Sequence, residues 1–138
     1  MTSDDGELND LLSGAHIAVL GTVDAKGRPH QAPIWYLWRD GEALLLTARS
    51  SKKWRNILGN PNASLCVDTK EPPYRAAVLQ GEASEATDLE YRPLLRELAV
   101  HYLGERAGNR YADTSTTGDP AADVVFRLKP SRIVRPMG

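Results

Sequence analysis

The sequence predicts a mainly β fold of the α+β class, a small antiparallel barrel of short strands with helices packed outside it. Three observations carry this reading. Short apolar runs rich in β-branched residues are separated by tight turn signals, as in hairpin-linked strands. Apolar spacing of helical period is confined to a few short stretches. The strands are mostly apolar on both faces, so the outer face of a barrel would need a further surface, and a twofold-related copy is the commonest one.

Each element follows in order. Residues 5–13, with Leu8, Leu11 and Leu12 at helical spacing, form a short opening helix that stops near Gly14. The run HIAVLGTV (16–23) is a buried strand, and Asp24-Ala25-Lys26-Gly27 is a turn ending on glycine. A second strand covers about 29–39, where Pro33 marks an edge, a bulge or a backbone facing a ligand. Asp40-Gly41 makes a tight hairpin into EALLLTA. A helix over about 51–59 stops at Gly59-Asn60-Pro61, and ASLCVD (63–68) is the next strand. A longer strand covers about 75–86, with Gly81 as a bulge or close backbone approach. A helix begins at Thr87-Asp88, with Pro93 tolerable only in its first turn. Residues 104–123 are polar and Gly-rich and read as a flap or mobile loop. The chain ends in two short strands broken at Lys129-Pro130-Ser131.

Composition narrows the function classes. A chain of 138 residues supports one domain, residues 1–138, with a core that needs no disulfide. Cys66 is the only cysteine, in an apolar run, which fits a core thiol in a reducing compartment. The formal net charge of −1 supplies no global field for nucleic acid or an anionic membrane. The opening segment is acidic and lacks the apolar core of a secretory signal, and no apolar run is long enough to span a bilayer. The expectation is a soluble cytoplasmic protein that binds neither nucleic acid nor membrane.

The chemistry concentrates in residues 44–61, LLLTARSSKKWRNILGNP. They read as a buried strand, a turn and the first turns of a helix. A helix start offers unpaired N–H groups and partial positive charge to an anion. Ser50 and Ser51 add hydroxyls, Lys52 and Lys53 add charge, and Arg55 and Asn56 follow. The set suits a phosphate ester, although a solvated basic helix start would show the same residues. His16, His30 and His101 have no metal-ligand spacing, so no metal site is expected. Trp54 reads as a core residue paired with Leu58, Trp35 as either core or ligand contact, and Trp38 as packing. No Ser-His-Asp or Cys-His pattern points to nucleophilic hydrolysis.

The stretches GRPHQAPIWYLW (27–38), LLLTARSSKKWRNILGNPNASLCV (44–67) and VLQGEA (78–83) resemble the pyridoxamine 5'-phosphate oxidase-like, flavin-reductase-like split β-barrel family. The resemblance runs from about Ala15 to Val134. It implies a six-stranded split barrel that forms homodimers, with flavin-type cofactors in clefts between subunits. It places the cofactor phosphate at Lys52 and Lys53. It lines the ring with Gln31, Ala32, Pro33, Ile34 and Trp35 on one strand and Leu46, Thr47 and Ala48 on the next. Tyr74 matches an aromatic supplied by the second subunit. Ala32 stands where the pyridoxamine phosphate oxidases carry arginine, and their C-terminal substrate segment is missing. The chain is closer to the branch that uses the deazaflavin coenzyme F-420, where Arg49 and Arg55 would hold the acidic tail. The implied activity is hydride transfer between reduced F-420 and a small organic substrate, with the proton from solvent, Tyr74 or Tyr36. FMN is the alternative cofactor, and a non-catalytic flavin or haem carrier is the alternative function. Fold analogy alone establishes neither.

Overall fold

The computed structural model describes residues 3–136. Among the described residues the elements run α1 (Ser3–Ser13), β1 (Ala18–Val23), β2 (Pro29–Ile34), β3 (Leu37–Arg39), β4 (Glu42–Ala48) and α2 (Lys52–Gly59). They continue β5 (Asn62–Asp68), β6 (Ala76–Glu85), α3 (Tyr91–Leu103), α4 (Glu105–Thr114) and β7 (Asp123–Val134). No helix among them is long and apolar enough to cross a membrane.

All seven strands join one antiparallel sheet in the order β2-β1-β5-β6-β7-β4-β3. Its two edge strands, β2 and β3, are consecutive in the chain and separated only by Trp35 and Tyr36. The sheet therefore curls until its edges come together, as a half-barrel with a split. The resemblance implies six strands and the structure has seven, because the predicted strand over 29–39 breaks into two at those residues while the two predicted C-terminal strands are one. Its first half pairs with β1, its second with β4.

Alternate residues fill the inside. Ala18, Leu20, Leu45, Leu65, Val67, Leu79, Phe126 and Leu128 belong to one buried cluster. The ends of the barrel are stopped by helices. Leu11 and Leu12 of α1 enter this cluster, as do Trp54 and Ile57 of α2. A second cluster lies outside, where Leu94 and Leu98 of α3 cover Leu44 and Val125. The turns behave as the sequence predicts: Asp40 and Gly41 both have positive φ, at 53° and 78°, as a tight hairpin requires. Gly81 marks a register shift in the β6–β7 ladder, where a Cβ would run into the carbonyl of Lys129.

Three expectations need correction. Residues 104–123 are no mobile loop, since half of them form α4. Gly108 lies against the backbone of Val100, where α4 meets α3. The C-terminal strands are one strand, because Pro130 falls at the Gly81 bulge, where a missing N–H costs no ladder bond. The third helix begins at Tyr91 rather than Thr87, which keeps Pro93 in its first turn.

Candidate functional site

The start of α2 is built by local hydrogen bonds. Ser51 is the N-cap, with extended backbone at φ −68° and ψ 151°. Its hydroxyl oxygen accepts the Trp54 N–H at 3.2 Å and the Thr47 hydroxyl at 3.0 Å. Among the described residues the amides of Lys52 and Lys53 have no backbone partner, as expected of a first turn. Trp54 packs against Phe126, with ring centroids 5.5 Å apart, so its core partner is not Leu58, which is 69% exposed. Anchored by Trp54 and Ile57, the helix turns Lys52, Lys53 and Arg55 away from the core. Among the described residues none of these three cations has a carboxylate within ion-pair distance.

Beside this face lies a groove of about 590 Å³, between Lys52, Arg55 and Gly59 of α2 and the Asp24–Gly27 turn. Its one acid is spent. Asp24 is buried and accepts the N–H groups of Lys26 and Arg28 at 2.9 Å each. It also accepts Arg28 Nε at 2.8 Å and pairs with His30 Nε2 at 3.1 Å. The Arg28 contacts, with the other donors, hold its carboxyl far below the usual carboxylate range. The groove thus keeps a basic character that Asp24 does not cancel.

Next to the helix start is the split. The β3–β4 ladder ends at Leu37 opposite Leu44, so β4 from Leu45 to Ala48 pairs with β7 on one side only. β2 pairs with β1 on one side only. These two open edges carry Gln31–Ile34 and Leu46–Ala48, the residues expected to line a ring. Their side chains are less available than their backbones. Ile34 and Thr47 are buried, and Leu46 and Trp35 pack toward α3. Trp35 stacks on Tyr102, centroids 4.9 Å apart and planes within 5°. Gln31, Pro33 and Ala48 are exposed and Ala32 is half-buried.

Several expected residues lie elsewhere or are already engaged. Arg49 forms a bidentate pair with Glu85 at 3.0 and 2.7 Å and donates Nε to the Pro120 carbonyl at 2.7 Å. Glu85 in turn raises the guanidinium pKa. Arg49 therefore clasps the α2 approach to β6 rather than facing open solvent with a free fork. Asn56 is buried and donates Nδ2 to Thr22 Oγ1 at 3.0 Å, tying α2 to β1. Ser50 is exposed on the turn. Tyr74 is 55% exposed in the loop beyond β5. Seven residues of β5 separate that loop from the α2 end, a span of roughly 20 Å. The Tyr36 hydroxyl, named above as a proton source, is buried and donates to the Leu12 carbonyl at 2.6 Å, and burial raises its pKa. Cys66 is half-buried on the outer face of β5, and burial pushes its thiol up. Among the described residues no three His, Cys, Asp or Glu side chains converge as a metal site would need.

Asp24, which lines the groove, was not among the residues the sequence marked for the site. The Asp24-Ala25-Lys26-Gly27 turn was visible, but its position beside α2 depends on packing between distant segments.

Comparison with solved structures places the fold. An F-420 reductase matches at TM-score 0.66 and 24% identity, over 91% of this chain and 94% of that one. An FAD-binding protein from Mesorhizobium loti matches at TM-score 0.66 and 23% identity, over 92% and 89%. The haem storage protein of Vibrio cholerae matches at TM-score 0.68 and 19% identity, over 95% and 93%. At these identities the likeness is one of fold. No curated protein matches by sequence. Residues 5–134 match the pyridoxamine 5'-phosphate oxidase family, and the chain belongs to it.

Proposed function

We propose that this protein is an oxidoreductase that holds a phosphate-bearing, flavin-type cofactor, with the deazaflavin coenzyme F-420 as the first reading. The observation that carries it is the α2 start. Lys52 and Lys53, without carboxylate partners, stand on two unpaired amides at the foot of an open split. Such a site binds a phosphate by charge and by N–H donors together. The open edges of β2 and β4 offer backbone hydrogen bonds to the rim of a flat ring. Helices α1 and α2 close the barrel ends and keep water from the inner side of that ring. When bound, the cofactor would supply hydride transfer to or from a small organic molecule. The basic groove with Lys52 and Arg55 offers a path for an acidic extension beyond the phosphate.

FMN is the second reading, and one observation favours it. Arg49 is held by Glu85, so it adds no free charge for a tail. A second copy of the chain completes the proposal. A row of residues, Pro33, Val19, Cys66, Val78 and Val134, crosses five strands on the outer face and belongs to neither buried cluster. A partner seated there would cover it and could bring its own Tyr74 loop toward the cofactor.

The test is a titration of F-420 and FMN into the wild-type protein and Lys53→Ala, at low and high salt. Loss of one charge-assisted phosphate contact costs about 1.5–3 kcal/mol, a weakening of roughly ten- to a hundredfold. F-420 should bind more tightly than FMN and lose more affinity in high salt. Equal binding of both cofactors at all salt concentrations would leave FMN as the cofactor. Unchanged affinity in a folded Lys53→Ala protein would remove the phosphate assignment.

A further inference from the structure

Tyr102 stands where the chain passes from one half of the sheet to the other. The β1–β2 ladder sets Ala18 opposite Ile34. Continued by two residues, the same register would set His16 opposite Tyr36. The Tyr102 hydroxyl, from the last turn of α3, occupies that place. It accepts the Tyr36 N–H at 3.1 Å and donates to the His16 carbonyl at 2.8 Å. One ladder bond is thereby relayed through an inserted O–H, and the strands part. The chain then crosses to β4, beginning with Leu37 opposite Leu44. Two further contacts fix the crossing. The Tyr102 ring stacks on Trp35, and the Tyr36 hydroxyl is tied to Leu12.

We propose that Tyr102 is a positioning residue for the cofactor ring: its inserted hydroxyl fixes the crossover at Trp35–Tyr36 and so sets the spacing between the open edges of β2 and β4. This rests on the reading of the split as the ring site. The hydroxyl has one proton and two acceptor sites: one acceptor site takes the Tyr36 N–H, and the proton faces the His16 carbonyl at 2.8 Å with the Tyr36 carbonyl a longer second acceptor at 3.2 Å. Burial raises its pKa, so the donated proton stays in place through the neutral range. Lys52 and Lys53 sit at the other end of the split and do not touch Tyr102, so ring binding and phosphate binding are separable.

Tyr102→Phe tests this, because it keeps the stack on Trp35 and removes only the relay. The probes are FMN, F-420 and inorganic phosphate, the last read as a competitor of FMN. The Tyr36 amide is followed by hydrogen exchange. In the variant the Tyr36 amide should exchange faster, and affinity for the ringed cofactors should fall about tenfold, as expected if the shifted strand edges lose one backbone hydrogen bond to the ring. The inhibition constant of inorganic phosphate should not change. Unchanged cofactor affinity with faster Tyr36 exchange overturns the positioning role. So does a parallel loss of phosphate and cofactor binding, which would mark general loosening of the fold. A wild-type protein that binds neither F-420 nor FMN overturns the cofactor reading itself, and the positioning role with it.

Discussion

Asn56 is the residue for which local sequence and tertiary structure assign different work, so its substitution is the sharpest check on the site. In the sequence it follows the lysine pair and reads as a phosphate neighbour. In the fold its amide nitrogen lies 3.0 Å from Thr22 Oγ1, with Asn56 6% and Thr22 4% exposed. Asn56→Leu keeps roughly the same shape and leaves the Thr22 hydroxyl buried without its partner. That penalty is about 1–3 kcal/mol. With a urea m-value of about 2 kcal/mol/M, a loss of about 2 kcal/mol lowers the unfolding midpoint by about 1 M. Thr22→Val should cost a similar amount by leaving the amide unpaired. The double variant replaces both partners with apolar groups, and such a replacement is nearly neutral in favourable cases. The two losses should therefore not add, and the cycle should give a coupling of about 1–2 kcal/mol, above the roughly 0.5 kcal/mol expected of independent sites. Protein concentration is held constant throughout, since association would shift the midpoint. Additive losses would refute the pairing. A collapse of FMN or F-420 binding in Asn56→Leu at unchanged stability would return Asn56 to the ligand.

Two further outcomes follow from the same geometry. If a second copy covers the outer row, light scattering at micromolar concentration should give a dimer, with on the order of 2,000 Å² buried in total, and Val78→Lys should give a folded monomer. Wild type running as a monomer with full cofactor affinity would exclude that arrangement. Asp24 links stability to pH. Its folded pKa is depressed, so its contribution is present above its ordinary value of 3.8 and is lost as pH falls below that value toward the folded one. Glu85 and Asp88, paired with Arg49 and Arg127, shift in the same direction. The useful quantity is therefore the difference between wild type and Asp24→Asn. The gap in melting temperature should be wide at neutral pH and close as the solution is acidified below that value. A gap that stays constant through the acid range would contradict the burial of an ionised Asp24.

Much of the fold is legible without coordinates because it is local. The cap at Ser51 and the stop at Asn60 each depend on residues a few positions apart, as do the turns at Asp24–Gly27 and Asp40–Gly41. Alternation places Leu20, Leu65 and Leu79 inside, because adjacent side chains on a strand point to opposite faces. The basic α2 start is legible for the same reason: its lysines and its cap lie within one turn. Other features depend on segments that meet only after folding. The Gly108 of α4 makes sense only against Val100. Pro130 is tolerated in a long strand only because Gly81 bulges opposite it. Arg49 finds Glu85 thirty-six positions away, and Asn56 finds Thr22 thirty-four positions away. These pairings engage two of the expected ligand residues in contacts within the chain. The sequence by itself therefore determined which residue types gather at the start of α2. The tertiary structure alone decided which of them keep their charges and donors free, because a charge or donor is committed by whatever distant partner folding brings within hydrogen-bond reach.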